Sequence, residues 1–267
     1  MLHTLLEDIM RTMLLSVAAL VLTMCAIQTP LVAQAMPAGT LLVNTRCTLS
    51  HGYSINDALE VARAMTYDEE DGPRWIGFRQ AIAGNGEIAP DMVLRVVRWM
   101  DMSHWSRGIA AIDRDAQDRA LLDSILDCDD ANRTFMWDRN TDDLGNAYEG
   151  GTLDETLSEV TQCEIKEGST LEDVFASAVA YNRPLREAGD RSTVQISHRF
   201  LGPRDGVEMG SRVLFRILGE NAHSLAARID ATTSTPTVRT PEDYPIVGCG
   251  DSSLWRSHVV YWSDAAN

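Results

Sequence analysis

The sequence predicts an α+β protein built as two tandem βαββαβ units, and three observations carry that prediction. The stretch Cys47-Thr48-Leu49-Ser50-His51-Gly52-Tyr53-Ser54-Ile55-Asn56-Asp57 recurs at Cys163-Glu164-Ile165-Lys166-Glu167-Gly168-Ser169-Thr170-Leu171-Glu172-Asp173, 116 residues further on and without a gap. Cysteine, an aliphatic two places later, glycine at the sixth place, Ser or Thr followed by an aliphatic, and aspartate at the eleventh are shared, which a duplication explains. Within each copy, period-two and helical patterns succeed one another as strand, helix, strand, strand, helix, strand, the split-βαβ or ferredoxin-like order. The cysteines, finally, fall one pair to a copy.

Residues 1–35 read as an address. Arg11 precedes the apolar run Met13 to Ile27, and Ala33-Gln34-Ala35 supplies the small-residue site at which a secretory signal is cut. Glu7 and Asp8 sit badly in a basic n-region, so Met10 is an alternative start. A retained anchor is the rival, but the run is short against the roughly 20 residues a bilayer needs. A lipid-anchored form at Cys25 would want a small residue where Met24 stands.

The first copy, residues 36–140, opens with a β-branched and aliphatic strand over 40–49 that ends at Gly52. Ser54 then caps a helix in which Ile55, Ala58, Leu59, Ala62 and Met65 share one face, and Asp71-Gly72-Pro73 stops it. Strands follow over 75–82 and 92–100, joined through Gly84-Asn85-Gly86, then a helix over 113–126 and a closing strand over 132–137. Residues 141–158 form a linker whose first part is acidic and glycine-bearing. The second copy, residues 159–267, repeats the plan: a strand over 160–165, a Thr170-capped helix carrying Leu171, Val174, Phe175, Ala178 and Val179, and strands over 193–201 and 212–218 joined through Gly202-Pro203. A short helix over 221–229, a stretch interrupted by Pro236, Pro241 and Pro245, and a strand over 255–262 complete it.

Removing the signal leaves Cys47, Cys128, Cys163 and Cys249, an even count that reads as disulfides in an exported chain. Of the three pairings, duplication selects Cys47 with Cys128 and Cys163 with Cys249, and the ferredoxin-like sheet order 4-1-3-2 brings the same ends together. A metal site is the rival, without a C-x-x-C or H-x-x-x-H pair to support it. The charge balance is acidic, 23 Lys and Arg against 39 Asp and Glu, for a net −16. A field of that sign repels nucleic acid and anionic lipid, so neither is expected as a partner. The expected state is a periplasmic or secreted monomer carrying its own internal pseudo-dimer.

Polar groups placed to line a pocket are Arg79, Arg95, Arg98, Trp99 and His104 in the first copy and His198, Arg199, Arg216 and His223 in the second. The pocket candidates kept are Arg79, Trp99, His104, His198, Arg199 and His223. Each has a plainer reading, as a paired arginine, a capping histidine or a core tryptophan. No Gly-rich phosphate loop, H-E-x-x-H or G-x-S-x-G occurs.

The Cys-x-aliphatic-x-x-Gly opening, Asp127-Cys128-Asp129 before the last strand of the first copy, and the tandem layout resemble uncharacterised exported proteins of marine proteobacteria with paired ferredoxin-like domains of the dimeric α/β-barrel kind. The resemblance implies that two sheets paired face to face between subunits elsewhere are paired here within one chain, as an intramolecular α/β-barrel-like pair. It spans about residues 40 to 264, rests on structural motifs and carries over no catalytic residue. Two functions are expected from it. The first is a non-enzymatic exported protein that needs no cofactor and binds a small or apolar ligand, or a protein partner, between its sheets; it expects an apolar cleft without convergent perturbed titratable groups. The alternative is a small cofactor-independent or haem-linked monooxygenase-like enzyme, with His104 or His198 as base or ligand and Trp99 against the substrate, in a cavity that also holds an arginine.

Overall fold

The computed structural model describes residues 35–84, 88–112, 116–141, 155–203, 210–234 and 244–263. Residues 1–34 of the expected signal 1–35, most of the linker, the Asn85-Gly86 turn, the end of the Gly202 connection and the segment bearing Pro236 and Pro241 lie outside the described residues. The unit Met36–Asn267 carries everything that follows.

The duplicated stretch builds the same corner twice. β1 (Thr40–Leu49) and β6 (Glu155–Ile165) each run into a glycine in the left-handed region, Gly52 at φ 90° and Gly168 at φ 83°, where a side chain would be strained. A capping box follows: the Ser54 N–H donates to Asp57 Oδ2 at 2.7 Å to open α1 (Ile55–Ala64), and the Thr170 N–H donates to Asp173 Oδ2 at 2.8 Å to open α4 (Leu171–Glu187). The conserved spacing of glycine, hydroxyl and aspartate is therefore the chemistry of one turn and one helix start.

Between these corners lie β2 (Trp75–Ala83), β3 (Met92–Trp99), α2 (Met102–Ile112), α3 (Ala116–Ile125), β4 (Leu126–Cys128) and β5 (Thr134–Asn140). After α4 come β7 (Thr193–Leu201), β8 (Arg212–Leu218), α5 (Ala222–Thr233), β9 (Ile246–Val247) and β10 (Ser253–Trp262). The expected helix over 113–126 is α3, and α2 precedes it as a helix the sequence reading did not foresee: the Asp101 carboxylate accepts the His104 backbone N–H at 2.8 Å and starts α2 directly after β3.

Eight strands pair antiparallel in the order β1-β3-β2-β10-β6-β8-β7-β5, and β5 returns to β1, so the sheet closes into a barrel. β5 and β10 each join the two halves, β5 between β1 and β7 and β10 between β2 and β6. The halves thus share strand edges in addition to facing one another. Closure leaves no open edge among the eight strands. β4 and β9 are side ladders on β1 and β6. β4 carries Cys128 and β9 lies just before Cys249, and the disulfides are Cys47–Cys128 and Cys163–Cys249, the pairing expected from the duplication.

Alternation along each strand separates two cores. Inward, Leu42, Trp75, Val96, Met136 and Val259 fill the barrel, with Leu94, Leu214 and Trp262 against them. Outward, α1 and α3 pack Ala58, Leu59, Ala62, Leu122 and Ile125 on Cys47, Ile76, Phe78 and Val93, while α4 packs Val174, Phe175 and Ala178 on Cys163, Ile196 and Val213. The remaining interior is polar: buried Asp138 accepts from Arg98 at 2.9 Å and from the Ser197 hydroxyl at 2.5 Å, and Gln195 donates to Asn140 and accepts from Arg216. An eight-stranded barrel is just wide enough for its side chains to fill. Among the described residues no helix is long and apolar enough to cross a membrane.

Candidate active site

β3 sets the site, because its alternation sends Arg98 into the barrel and Arg95, Val97 and Trp99 out towards the helices. Between that outer face and the helical layer lies a cavity of about 130 Å³. Its walls are Phe78 and Ile76 from β2, Met65 and Tyr67 from the end of α1 and beyond, Trp105 and Ile109 from α2, and Leu122 from α3. Arg95, Arg119, Arg133 and Asp123 supply its charge. α2 can come this close to Trp99 because Gly108 lies between them; a Cβ there would stand 2.2 Å from the indole and 2.5 Å from the Asp71 carbonyl oxygen.

The guanidiniums are organised by Asp130, in the 3-10 turn that follows β4. Its carboxylate accepts from Arg95 Nη2 at 2.5 Å and from Arg133 at 2.9 and 3.1 Å, with Arg119 at 3.8 Å. Burial opposes the charged form of Arg95 and lowers its pKa, and Asp130 offsets this only in part. Burial by itself would raise the Asp130 carboxyl, but Arg95, then Arg133 and Arg119, outweigh it and hold the group below the usual carboxylate range. Tyr67 donates its hydroxyl proton to the Ala62 carbonyl at 2.8 Å and packs 4.5 Å from the Tyr261 ring; burial pushes its pKa well above that of a free phenol. It stays protonated at neutral pH and is a wall, with its proton committed.

Of the six pocket candidates kept from the sequence, Trp99 lines this cavity, as does Arg95 from the wider set. His104 stands behind it, its ring edge-on to the indole at 5.3 Å, its Nδ1 accepting the Met100 N–H at 3.2 Å and its charged form disfavoured by burial and by Arg74. Arg79 is in the barrel, over the Trp75 ring at 5.5 Å. His198 lies on the outer face of β7 with Arg139 Nη1 3.2 Å from its Nδ1, and burial followed by Arg139 lowers its pKa. Arg199 neighbours Met136 across β5 and β7, and His223 is exposed on the first turn of α5. These six are therefore not one site. Tyr67, Trp105, Arg119, Asp130 and Arg133 were missed, since they come from four segments that only packing assembles. Arg95 carried a readable signal: it is a charge on the strand face that otherwise presents Val93, Val97 and Trp99.

The expected non-enzymatic binder, with a cleft between its sheets and no convergent titratable groups, is overturned. Apolar and hydrogen-bonded side chains pack into the barrel, and among the described residues a cavity lies outside it with three arginines, two aspartates and a tyrosine converging on it, of which Arg95, Asp130 and Tyr67 are perturbed. Among the described residues no group of three or more His, Cys, Asp or Glu is placed to hold a metal ion.

No protein-family model matches the chain, and no curated protein matches its sequence. Solved structures do match its shape. The crystal structure of a putative monooxygenase from Lactobacillus acidophilus NCFM superposes with a TM-score of 0.50 at 11% identity, over 84% of this chain and 97% of that one. An anthrone oxidase-like protein gives 0.44 at 12% identity over 85% and 94%, and a chlorite dismutase variant from Candidatus Nitrospira defluvii gives 0.45 at 9% over 83% and 92%. At these identities the likeness is one of fold: an α+β protein of the dimeric α/β-barrel type, with both halves of the barrel in a single chain. The structure it resembles in fold is described as a putative monooxygenase, where the sequence reading led to a binding protein.

Proposed function

We propose that the chain is an enzyme of the small monooxygenase-like kind, acting on an electron-rich ring in the cavity walled by Trp99, Trp105 and Tyr67. The observation that carries this reading is Arg95, a cation desolvated by burial that faces the aromatic and aliphatic walls of the cavity, with Arg119, Arg133 and Asp123 beside it. A fixed cation in a water-poor site stabilises negative charge that develops in a reaction far more than it would in water. The shared fold with the Lactobacillus acidophilus protein supports the reaction class.

The residues present suit oxygenation of an activated CH₂ group beside a phenol or enol. Arg95 favours loss of the acidic proton to solvent, leaving a carbanion-enolate. That anion reduces dioxygen and forms a C–O bond; the hydroperoxide takes up a proton and loses water, leaving a carbonyl. The balance is R₂CH₂ + O₂ → R₂C=O + H₂O. Met65, Ile109 and Leu122 keep water away from the anion, and the committed Tyr67 hydroxyl leaves Arg95 as the electrostatic partner.

A haem does not fit this site. The cavity is well below the roughly 300 Å³ at which enclosed ligand pockets begin, and its lining holds neither histidine nor cysteine. His104, behind Trp99, has its Nδ1 tied to the Met100 amide.

Two disulfides suit an oxidising compartment, so we place the mature chain in the periplasm or outside the cell after removal of residues 1–35. We take residues 36–140 and 159–267 as duplicated ferredoxin-like units joined by the linker 141–158, whose residues 155–158 are drawn into β6 instead of remaining linker, and acting as a monomer because the barrel closes within one chain. The mass and elution volume of the exported protein test both points.

An oxygen electrode tests the activity, with 4-hydroxyphenylacetone and 4-hydroxyphenylacetate as probes. Uptake of one O₂ per substrate, reduced about 10²-fold in Arg95→Met, is the expected result. Absence of uptake with both probes, or uptake indifferent to Arg95→Met, overturns the reading.

A further inference from the structure

The charge around the cavity states what kind of ligand it takes. Arg95, Arg119 and Arg133 stand against Asp123 and Asp130, a formal +1 in a chain whose net charge is −16. Every other lining residue is apolar or neutral. Burying a cation costs free energy unless something compensates it, and two carboxylates among three guanidiniums, one of them reaching Arg119 only at 3.9 Å, compensate incompletely.

The fold does not require the cation. β1 and β3 place Thr45 opposite Arg95 two residues before Cys47, and β6 and β8 place Thr161 opposite Phe215 two residues before Cys163. At that matching register the second half packs the Phe215 ring into its own core. A phenylalanine therefore satisfies the position when it is merely structural, and Arg95 answers to a ligand. Size sets the other limit, because about 130 Å³ is close to the roughly 150 Å³ of an apolar cavity that takes up benzene.

From charge, register and volume together we infer that this cavity binds a monocyclic aromatic monoanion, its ring against Trp99 and Trp105 and its oxyanion, carboxylate or phenolate, against Arg95. The inference rests on the oxygenase reading for the location of the site, and it names the substrate class of that site. Its charge and size arguments do not depend on the chemistry.

Calorimetric titration of the mature, disulfide-intact protein tests it with benzoate, benzamide, benzylammonium, phthalate and 2-naphthoate as probes. Benzoate is expected to bind about tenfold or more tightly than benzamide, as a charged hydrogen-bond partner should against a neutral one. Benzylammonium, the dianion and the two-ring acid are expected not to bind. Arg95→Met should remove the benzoate preference and leave benzamide unchanged, with the near-ultraviolet dichroism as the check on folding. If Arg95→Met does not fold, Arg133→Gln, at a side chain 22% exposed, must lower benzoate affinity selectively. Equal binding of benzoate and benzamide, tight binding of 2-naphthoate, or a benzoate affinity untouched by either substitution overturns the inference. Selective benzoate binding without oxygen uptake from the phenol probes would defeat the oxygenase reading and leave this one standing; uptake without any anion preference would do the reverse.

Discussion

At single residues, the chain keeps three imidazoles neutral by packing them. His104, His198 and His258 all titrate below the usual 6.5, burial being the largest cause in each; Arg74 and Arg139 add to it at the first two, and Glu155 opposes it at the third. A histidine whose folded pKa is depressed contributes stability that is present above its unfolded pKa and lost as pH falls from there towards the folded value. Thermal melts should therefore show stability declining from about pH 6.5 downwards, ahead of the carboxylates. His104→Gln, whose amide oxygen can still take the Met100 N–H, should flatten part of that slope; an unchanged difference between variant and parent from pH 7 to 5 would refute the assignment. Arg95 and Arg98 illustrate the limit of reading residues alone. Their spacing put them on opposite faces of a strand, but whether either met a cavity or a carboxylate depended on Asp130 and Asp138, which lie 35 and 40 residues away.

At the scale of elements, the two disulfides are alike in the sequence and unlike in what they hold. Cys128 belongs to β4, zipped to β1 through Cys47↔Cys128, Thr48↔Asp127 and Leu49↔Leu126, and the chain leaving it delivers Asp130 and Arg133 to the cavity. Cys249 ties its segment to β6, away from that cavity. Replacing either pair by alanine should cost up to about 4 kcal/mol on the chain-entropy account for loops this long. Benzoate affinity should fall with loss of Cys47–Cys128 and stay level with loss of Cys163–Cys249, which titrations of both double variants would decide. Gly108→Ala drives a methyl into Trp99 and the Asp71 carbonyl, and should cost about 1–3 kcal/mol and weaken ligand binding as α2 lifts; a denaturant melt and one titration check both effects. The helix around Gly108 escaped the sequence reading because its start depends on one aspartate cap and its apolar face on Trp99, a residue of the preceding strand.

Across the whole molecule, Arg98 of β3, Asp138 of β5 and Ser197 of β7 form a chain of hydrogen bonds that crosses from one half to the other inside the barrel. Asp138 is 3% exposed, so Asp138→Ala strands a buried guanidinium and should cost about 3–5 kcal/mol, whereas Ser197→Ala should cost about 1 kcal/mol. Chemical denaturation of the two variants measures the difference, and a mild Asp138→Ala would show that the seam is held by apolar packing alone. The eight barrel strands, the capped helix starts, the glycine corners and the disulfide pairing were legible along the chain, because each depends on periodicity within a few residues or on the spacing of a duplicated segment; the short β4 and β9 were not. Closure of the two sheets into one barrel was expected from the resemblance and from no local pattern, and the migration of the site from between the sheets to beneath the helices was not foreseen. Those outcomes rest on which strand edges find each other and on how eight strands fill their own interior, and both are contests between distant surfaces that no local pattern records.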